Sequence, residues 1–169
     1  MRCIVVYCSQ TGFTKRYAKW LAQALTCEAV AWNRRIDLSA YDCVIFGSWR
    51  RADSVVNLPW LLETARTQPG SRFAVFVTGA APAAQALKEQ ETVNRALEGS
   101  SAKGFYLPGG LNYAQMPLVY RVMMRLLCAM LRANKHPSPE QQAMLTQIDR
   151  DCDHTDRAYI EPILEYVQA

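Results

Sequence analysis

Apolar and polar positions alternate between two rhythms along the chain. Short apolar runs, rich in β-branched and aromatic residues, predict strands at "RCIVVYC", "CEAVAW", "YDCVIFGSW", "RFAVFVTGA" and "KGFYLPGGL". Between most of them the apolar residues recur at helical spacing. From near Thr14 onward, Tyr17, Trp20, Leu21, Ala24 and Leu25 share one face, and Lys15, Arg16, Lys19 and Gln23 lie elsewhere. "LPWLLETARTQ" predicts a second helix with Pro59 in its first turn, closed by "QPG". "PAAQALKEQETVNRALEG" predicts a third, with Gly99 as its stop. "NRRIDLSA" is too short for a helix.

Strands alternating with helices imply right-handed crossovers and a parallel sheet covered on both faces. The expected class is therefore α/β: a doubly wound, five-stranded sheet of order 2-1-3-4-5 in one domain spanning residues 1–169. The rhythm breaks after the fifth strand. About forty residues, an insertion at roughly 112–152, come before a last helix in "HTDRAYIEPILEYV". They hold "PLVYRVMMRLLCAMLRANK", then a break at "HPSP", then "SPEQQAMLTQID". There Ser138, Pro139 and Gln141 form a capping-box signature. Pro162 leaves two readings of the last helix, a kink or a start at Glu161.

Composition adds exclusions. Half the residues are hydrophobic and a fifth charged, the balance of a globular domain. A net charge of +4 lacks the dense Lys/Arg patterning of a nucleic-acid binder. Six cysteines without CxxC spacing, with Cys3 and Cys43 in strand-like runs, suit free thiols in a reducing cytoplasm. Strand-like sequence near Met1 replaces the pattern of a secretion signal, and no apolar run is long enough to span a bilayer.

The loop "SQTGFT" carries the chemistry. In an open parallel sheet, ligands lie beyond the carboxyl ends of the strands where the order reverses, here strands one and three. The loop sits there and enters a helix, whose first-turn amides and positive dipole end can hold a phosphate without a cation. Its small hydroxyl residues and Gly12 allow close backbone approach. It lacks GxxxxGK[ST], GxGxxG, a Cys followed by Arg at phosphatase-loop spacing, and GxSxG. The acidic strand ends of a phosphoacceptor are also absent. A plain turn whose hydroxyls merely cap the helix is the competing reading.

"SQTGFT" matches the [ST]-x-T-G-x-T phosphate loop of flavodoxins at every defined position. "YDCVIFGSW" with "RRADS" is similar to their second flavin loop, and "FVTGAAP" to the third. "PGGLNYAQMPLVYRVMMRLLCAM" with the later "HTD" resembles the insertion of the menaquinone-dependent protoporphyrinogen IX dehydrogenases, flavodoxin-like proteins with a long insertion. The resemblance implies FMN as cofactor. Its phosphate would lie at Ser9, Gln10, Thr11, Gly12, Phe13 and Thr14. Its ring would lie between Ser48, Trp49, Arg50, Arg51, Ala52 and Asp53 on one side and Thr78, Gly79, Ala80, Ala81 and Pro82 on the other. Asp53 stands where the family usually has a Gly facing flavin N5, and Ala52 near where it has an aromatic. No aromatic follows the third loop, so Trp49 is the expected stacking residue, with Tyr113 second. Arg51 is expected to meet an anionic group of flavin or substrate.

Residues 118–131 are apolar apart from Arg121 and Arg125. At about 100° per residue, Arg121, Arg125, Arg132 and Lys135 fall in one stripe. Such a helix packs under the sheet, pairs with a second subunit, or rests on a lipid surface. Asp149, Asp151 and Asp153 mimic the start of a calcium loop. His154 in place of its Gly, and Ile160 in place of its Glu, speak against a cation, so no metal is expected. His136 and His154 have no matching ligand cluster in the sequence. Three functions remain: an FMN oxidoreductase taking electrons from a small-molecule substrate to a quinone or other acceptor, a flavodoxin-type carrier serving redox partner proteins, or a flavin-free interaction module. The expected location is the cytoplasm, or the inner face of the cell membrane if residues 117–132 touch lipid; that same helix is the expected contact in a homodimer.

Overall fold

In the computed structural model, which describes residues 1–51 and 54–169, five parallel strands form the centre. The chain runs β1 (Cys3–Tyr7), α1 (Phe13–Leu25), β2 (Glu28–Ala31), β3 (Cys43–Arg51), β4 (Ser54–Val55), α2 (Leu58–Thr67) and β5 (Arg72–Gly79). It continues with α3 (Ala86–Ala96), β6 (Lys103–Pro108), β7 (Gly110–Leu111), α4 (Leu118–Ala133), α5 (Pro139–Ile148), β8 (Cys152–Asp153) and α6 (Glu161–Gln168). The sheet order β2-β1-β3-β5-β6 is the expected 2-1-3-4-5 once the short antiparallel strands are set aside. Gly99 has a φ of 77° just past α3, and Ser138 and Gln141 close the expected capping box. Pro162 lies in the first turn of α6, which starts at Glu161, so the kinked alternative falls away.

Alternate strand residues enter two separate cores, as the two-residue period of a strand requires. Val6, Phe46, Phe73, Val75 and Val77 face Leu61 of α2 and Val93 of α3. Val5, Ile45, Ala74, Phe76 and Phe105 face Tyr17 and Leu21 of α1 and Ile163 and Val167 of α6. All six cysteines are free thiols.

Register places the strand ends together. Tyr7 is level with Gly47, Trp49 with Thr78, and Gly79 with Pro108. One difference from expectation lies beside them. Strand β3 continues through Trp49 to Arg51 and folds back onto β4, with Arg50 opposite Val55 and Arg51 opposite Ser54. What reads as a loop in sequence is thus partly an antiparallel ribbon, because Val55 supplies an apolar partner just beyond a polar stretch.

The insertion leaves and rejoins the sheet through a second ribbon, β7 with β8, in which Gly110 pairs with Asp153 and Leu111 with Cys152. Gly110 is required there: a Cβ on it would lie 2.1 Å from the carbonyl oxygen of Cys152. The returning chain is fastened by the Tyr17 hydroxyl, which donates to the Pro108 carbonyl (2.7 Å) and accepts from the Asp156 amide (3.2 Å). Burial pushes this phenol's pKa above its ordinary value, so it stays protonated and able to donate. Tyr17→Phe leaves the Pro108 carbonyl without its donor and the Asp156 amide without its acceptor. The expected loss is about 1–3 kcal/mol of stability, read from urea unfolding.

Candidate functional site

At the carboxyl end of the sheet, β1 gives way to the Ser9–Thr14 loop, and α1 begins at Phe13. Gly12 caps that helix with φ 96°, a left-handed conformation that side chains rarely adopt. Its amide donates to the Ser9 hydroxyl oxygen at 3.2 Å, so Ser9 folds the loop on itself while its proton remains available to a ligand. The first-turn amides of α1 have no upstream carbonyl within the helix and point into the loop.

Thr14 both lines a cavity beside the loop and joins a buried hydroxyl chain. It is buried, and its hydroxyl lies 2.8 Å from that of Thr78. Thr78 in turn reaches the Ser48 carbonyl at 3.4 Å, and Ser48 donates its hydroxyl to the Val56 carbonyl at 2.6 Å. The ends of β3 and β5 and the start of α1 are therefore tied by buried hydroxyls, and of the loop's hydroxyls Thr11 faces open space. Just before the loop, the Cys8 thiol is pushed up by burial, against hydrogen bonds from Asn57 and Ser48, and so stays neutral.

A cavity of ≈ 490 Å³ opens beside this loop. Gln10, Thr11, Phe13 and Thr14 line one end; Trp49, Arg50 and Arg51, and Thr78, Gly79 and Ala80, line two sides. Ser9, Gly12, Ser48, Ala81 and Pro82 are not among the cavity's lining residues. Ala81, for instance, is buried and its carbonyl accepts the Tyr106 hydroxyl at 2.9 Å. Ala52 and Asp53, with the expected contact to N5, lie outside the described residues.

The remaining wall comes from the insertion, which the sequence pattern does not place beside the loops: Met116, Tyr120, Met123, Met124, Leu127, Met144 and Ile148, with Gly110 and Leu111. Four methionines make it soft and adaptable in shape. A sequence signal did exist, because residues 118–131 are too apolar to need only one buried face. Trp49 meets Tyr120 edge to face, ring centroids 6.1 Å apart. Tyr113, the second stacking candidate, is instead committed to the insertion, where its hydroxyl donates to the Ile148 carbonyl. Burial pushes that hydroxyl up to about 12.

Charge around the cavity is specific. Arg50 pairs with Glu89 of α3, which holds its head to one side, while Arg51 is exposed and approaches the Tyr120 hydroxyl at 3.4 Å. The aspartates that resemble a cation loop are spread over three separate fastenings. Asp149 pairs with Arg132 of α4, Asp151 accepts from the Tyr113 amide at 2.8 Å, and Asp153 pairs with Arg16 of α1 at 2.6 Å. Although burial pushes Asp153 upward, hydrogen bonds from Arg16 and Thr155 outweigh it and hold the carboxyl below its ordinary value. Of the three fastenings, the first two brace the insertion internally, and the third ties its returning end to α1.

The family model for the flavodoxin domain matches residues 4–138. No curated protein matches the chain. Among solved structures, flavodoxin 1 from Bacillus cereus is similar over 88% of this chain and 97% of its own, at 13% identity and a TM-score of 0.44. A candidate flavoprotein from Bacteroides uniformis is similar over 64% of this chain and 90% of its own, at 19% identity and a TM-score of 0.46.

Proposed function

The chain belongs to the flavodoxin domain family, whose cofactor is FMN, and from that premise we propose that it is an FMN-dependent oxidoreductase with a small-molecule substrate of its own. The cavity suits the cofactor: its volume is that of a ligand pocket, one end is an anion-holding loop, and small residues Gly79 and Ala80 leave room at its side. Thr11, the Ser9 hydroxyl and the first-turn amides of α1 would hold the phosphate; Trp49 and Tyr120 would flank the ring. When bound, FMN supplies reversible one- and two-electron transfer.

The observation that carries the substrate reading is the insertion wall. A carrier that serves only partner proteins needs its flavin edge open to them, whereas here methionines and Tyr120 enclose that side in apolar surface. Such a wall excludes water and accepts a flat, apolar molecule. Exposed Arg51 at the rim suits a carboxylate on that molecule. Oxidation of a protoporphyrinogen-type substrate with electrons delivered to a quinone fits these features.

Titration of the apoprotein with FMN, followed by flavin fluorescence quenching, tests the cofactor; failure to bind at high FMN would sink the redox reading. Anaerobic oxidation of protoporphyrinogen with an added menaquinone analogue tests the substrate. Turnover only with a reductase and an acceptor protein would favour the carrier reading instead.

A further inference from the structure

Helix α4 has a second face, and the other described residues leave it bare. Its inward side, Met124, Leu127 and Cys128, meets the cavity and α5. On its outward side Leu118, Val119, Val122, Met123, Leu126 and Met130 are 47–72% exposed. The inward half of its circumference thus packs on α5 and the cavity.

The segment that carries this face has charges of one sign only. Residues 99–139 contain no Asp or Glu but carry Lys103, Arg121, Arg125, Arg132 and Lys135. At about 100° per residue Arg121, Arg125 and Arg132 fall along one flank of the apolar face, where long side chains can lie at a headgroup level while the face sinks below it, and Lys135 follows just past the helix end. Arg121 folds back to the carbonyls of Ala114 and Met116, and Arg132 to Asp149; Arg125 and Lys135 are exposed. On the other flank Met123 belongs both to the exposed face and to the cavity wall.

We infer that α4 lies in the surface of an anionic lipid bilayer, apolar face down and Arg125 and Lys135 among the headgroups, with the mouth of the cavity at lipid depth. A second copy of the chain, joined through the same helix, would set against these cations a segment, residues 99–139, that has no Asp or Glu of its own. An anionic membrane supplies both the apolar medium and the countercharge. No helix among the described residues is long and apolar enough to cross a membrane, so the contact is interfacial. The inference deepens the proposed function, since an apolar substrate or quinone dissolved in the bilayer would reach the cavity without crossing water.

Co-sedimentation of the full-length FMN-loaded chain with phosphatidylglycerol-containing and pure phosphatidylcholine vesicles tests it, with protein rather than flavin counted in the pellet. The expected result is binding to the anionic vesicles at least about tenfold tighter than to the neutral ones. Arg125→Gln should weaken it about fivefold, and Val122→Glu with Leu126→Glu should abolish it while circular dichroism and FMN uptake stay unchanged. Sedimentation with neither vesicle, or equally with both, overturns the inference. So does a dimer in vesicle-free solution that Val122→Glu with Leu126→Glu converts to monomer. A chain that sediments but takes up no FMN would overturn the function and leave the lipid surface standing; a chain that takes up FMN and ignores vesicles would do the reverse.

Discussion

Gly12→Val is expected to weaken FMN binding by about 2–3 kcal/mol, roughly thirty- to a hundred-and-fiftyfold, while leaving the sheet folded. Gly12 has φ 96°, and a β-branched residue held there stores strain of this order or moves the loop. The Ser9–Gly12 hydrogen bond depends on that geometry, and so does the entry into α1 at Phe13. Moving the loop would turn the first-turn amides away from a bound phosphate. Flavin fluorescence quenching against the wild-type chain measures the loss. An unchanged affinity would mean that the phosphate sits elsewhere and that the loop only starts a helix.

Phe76→Ala addresses the platform instead of the loop. Phe76 is fully buried at the middle of β5, with its ring edge-on to Tyr17 at 6.4 Å between centroids. Alanine would remove most of an aromatic side chain from between β5 and α1, an expected cost of about 3–5 kcal/mol. That is a large share of a domain's usual stability of about 5–15 kcal/mol. Urea unfolding should show a lower midpoint with a similar slope. Because Thr78 lies two residues along the same strand and links to Thr14, flavin affinity should fall as well. A variant that unfolds near the wild-type midpoint would show that this core closes over the gap.

The two predictions separate what could be read from sequence and what could not. The parallel sheet followed from the alternation of two periods, and its order from the most apolar strands being the first, third and fourth. The turn at Gly12 followed from local chemistry, since Gly12 and its hydroxyl neighbours act over a few residues. Partners far apart in the chain left no such trace. Nothing near Arg50 shows that Glu89 turns it aside, and nothing near Thr14 shows that Thr78 takes its hydroxyl. Asp149, Asp151 and Asp153 have the spacing of a cation loop, yet their partners are Arg132, Tyr113 and Arg16. The cavity's methionine wall was hidden for the same reason. A helix pattern tells how apolar a face is, not which surface will meet it.

The β7–β8 ribbon has one more consequence. Since Leu111 and Cys152 are neighbours across it, the two points where the insertion departs and returns are a strand spacing apart. The insertion is thus a cassette on a closed stem, and a short turn could replace it without pulling the sheet open. Under the proposed function, transplanting this one segment would exchange specificity between scaffolds of this kind while leaving the Ser9–Thr14 loop and the strand order untouched.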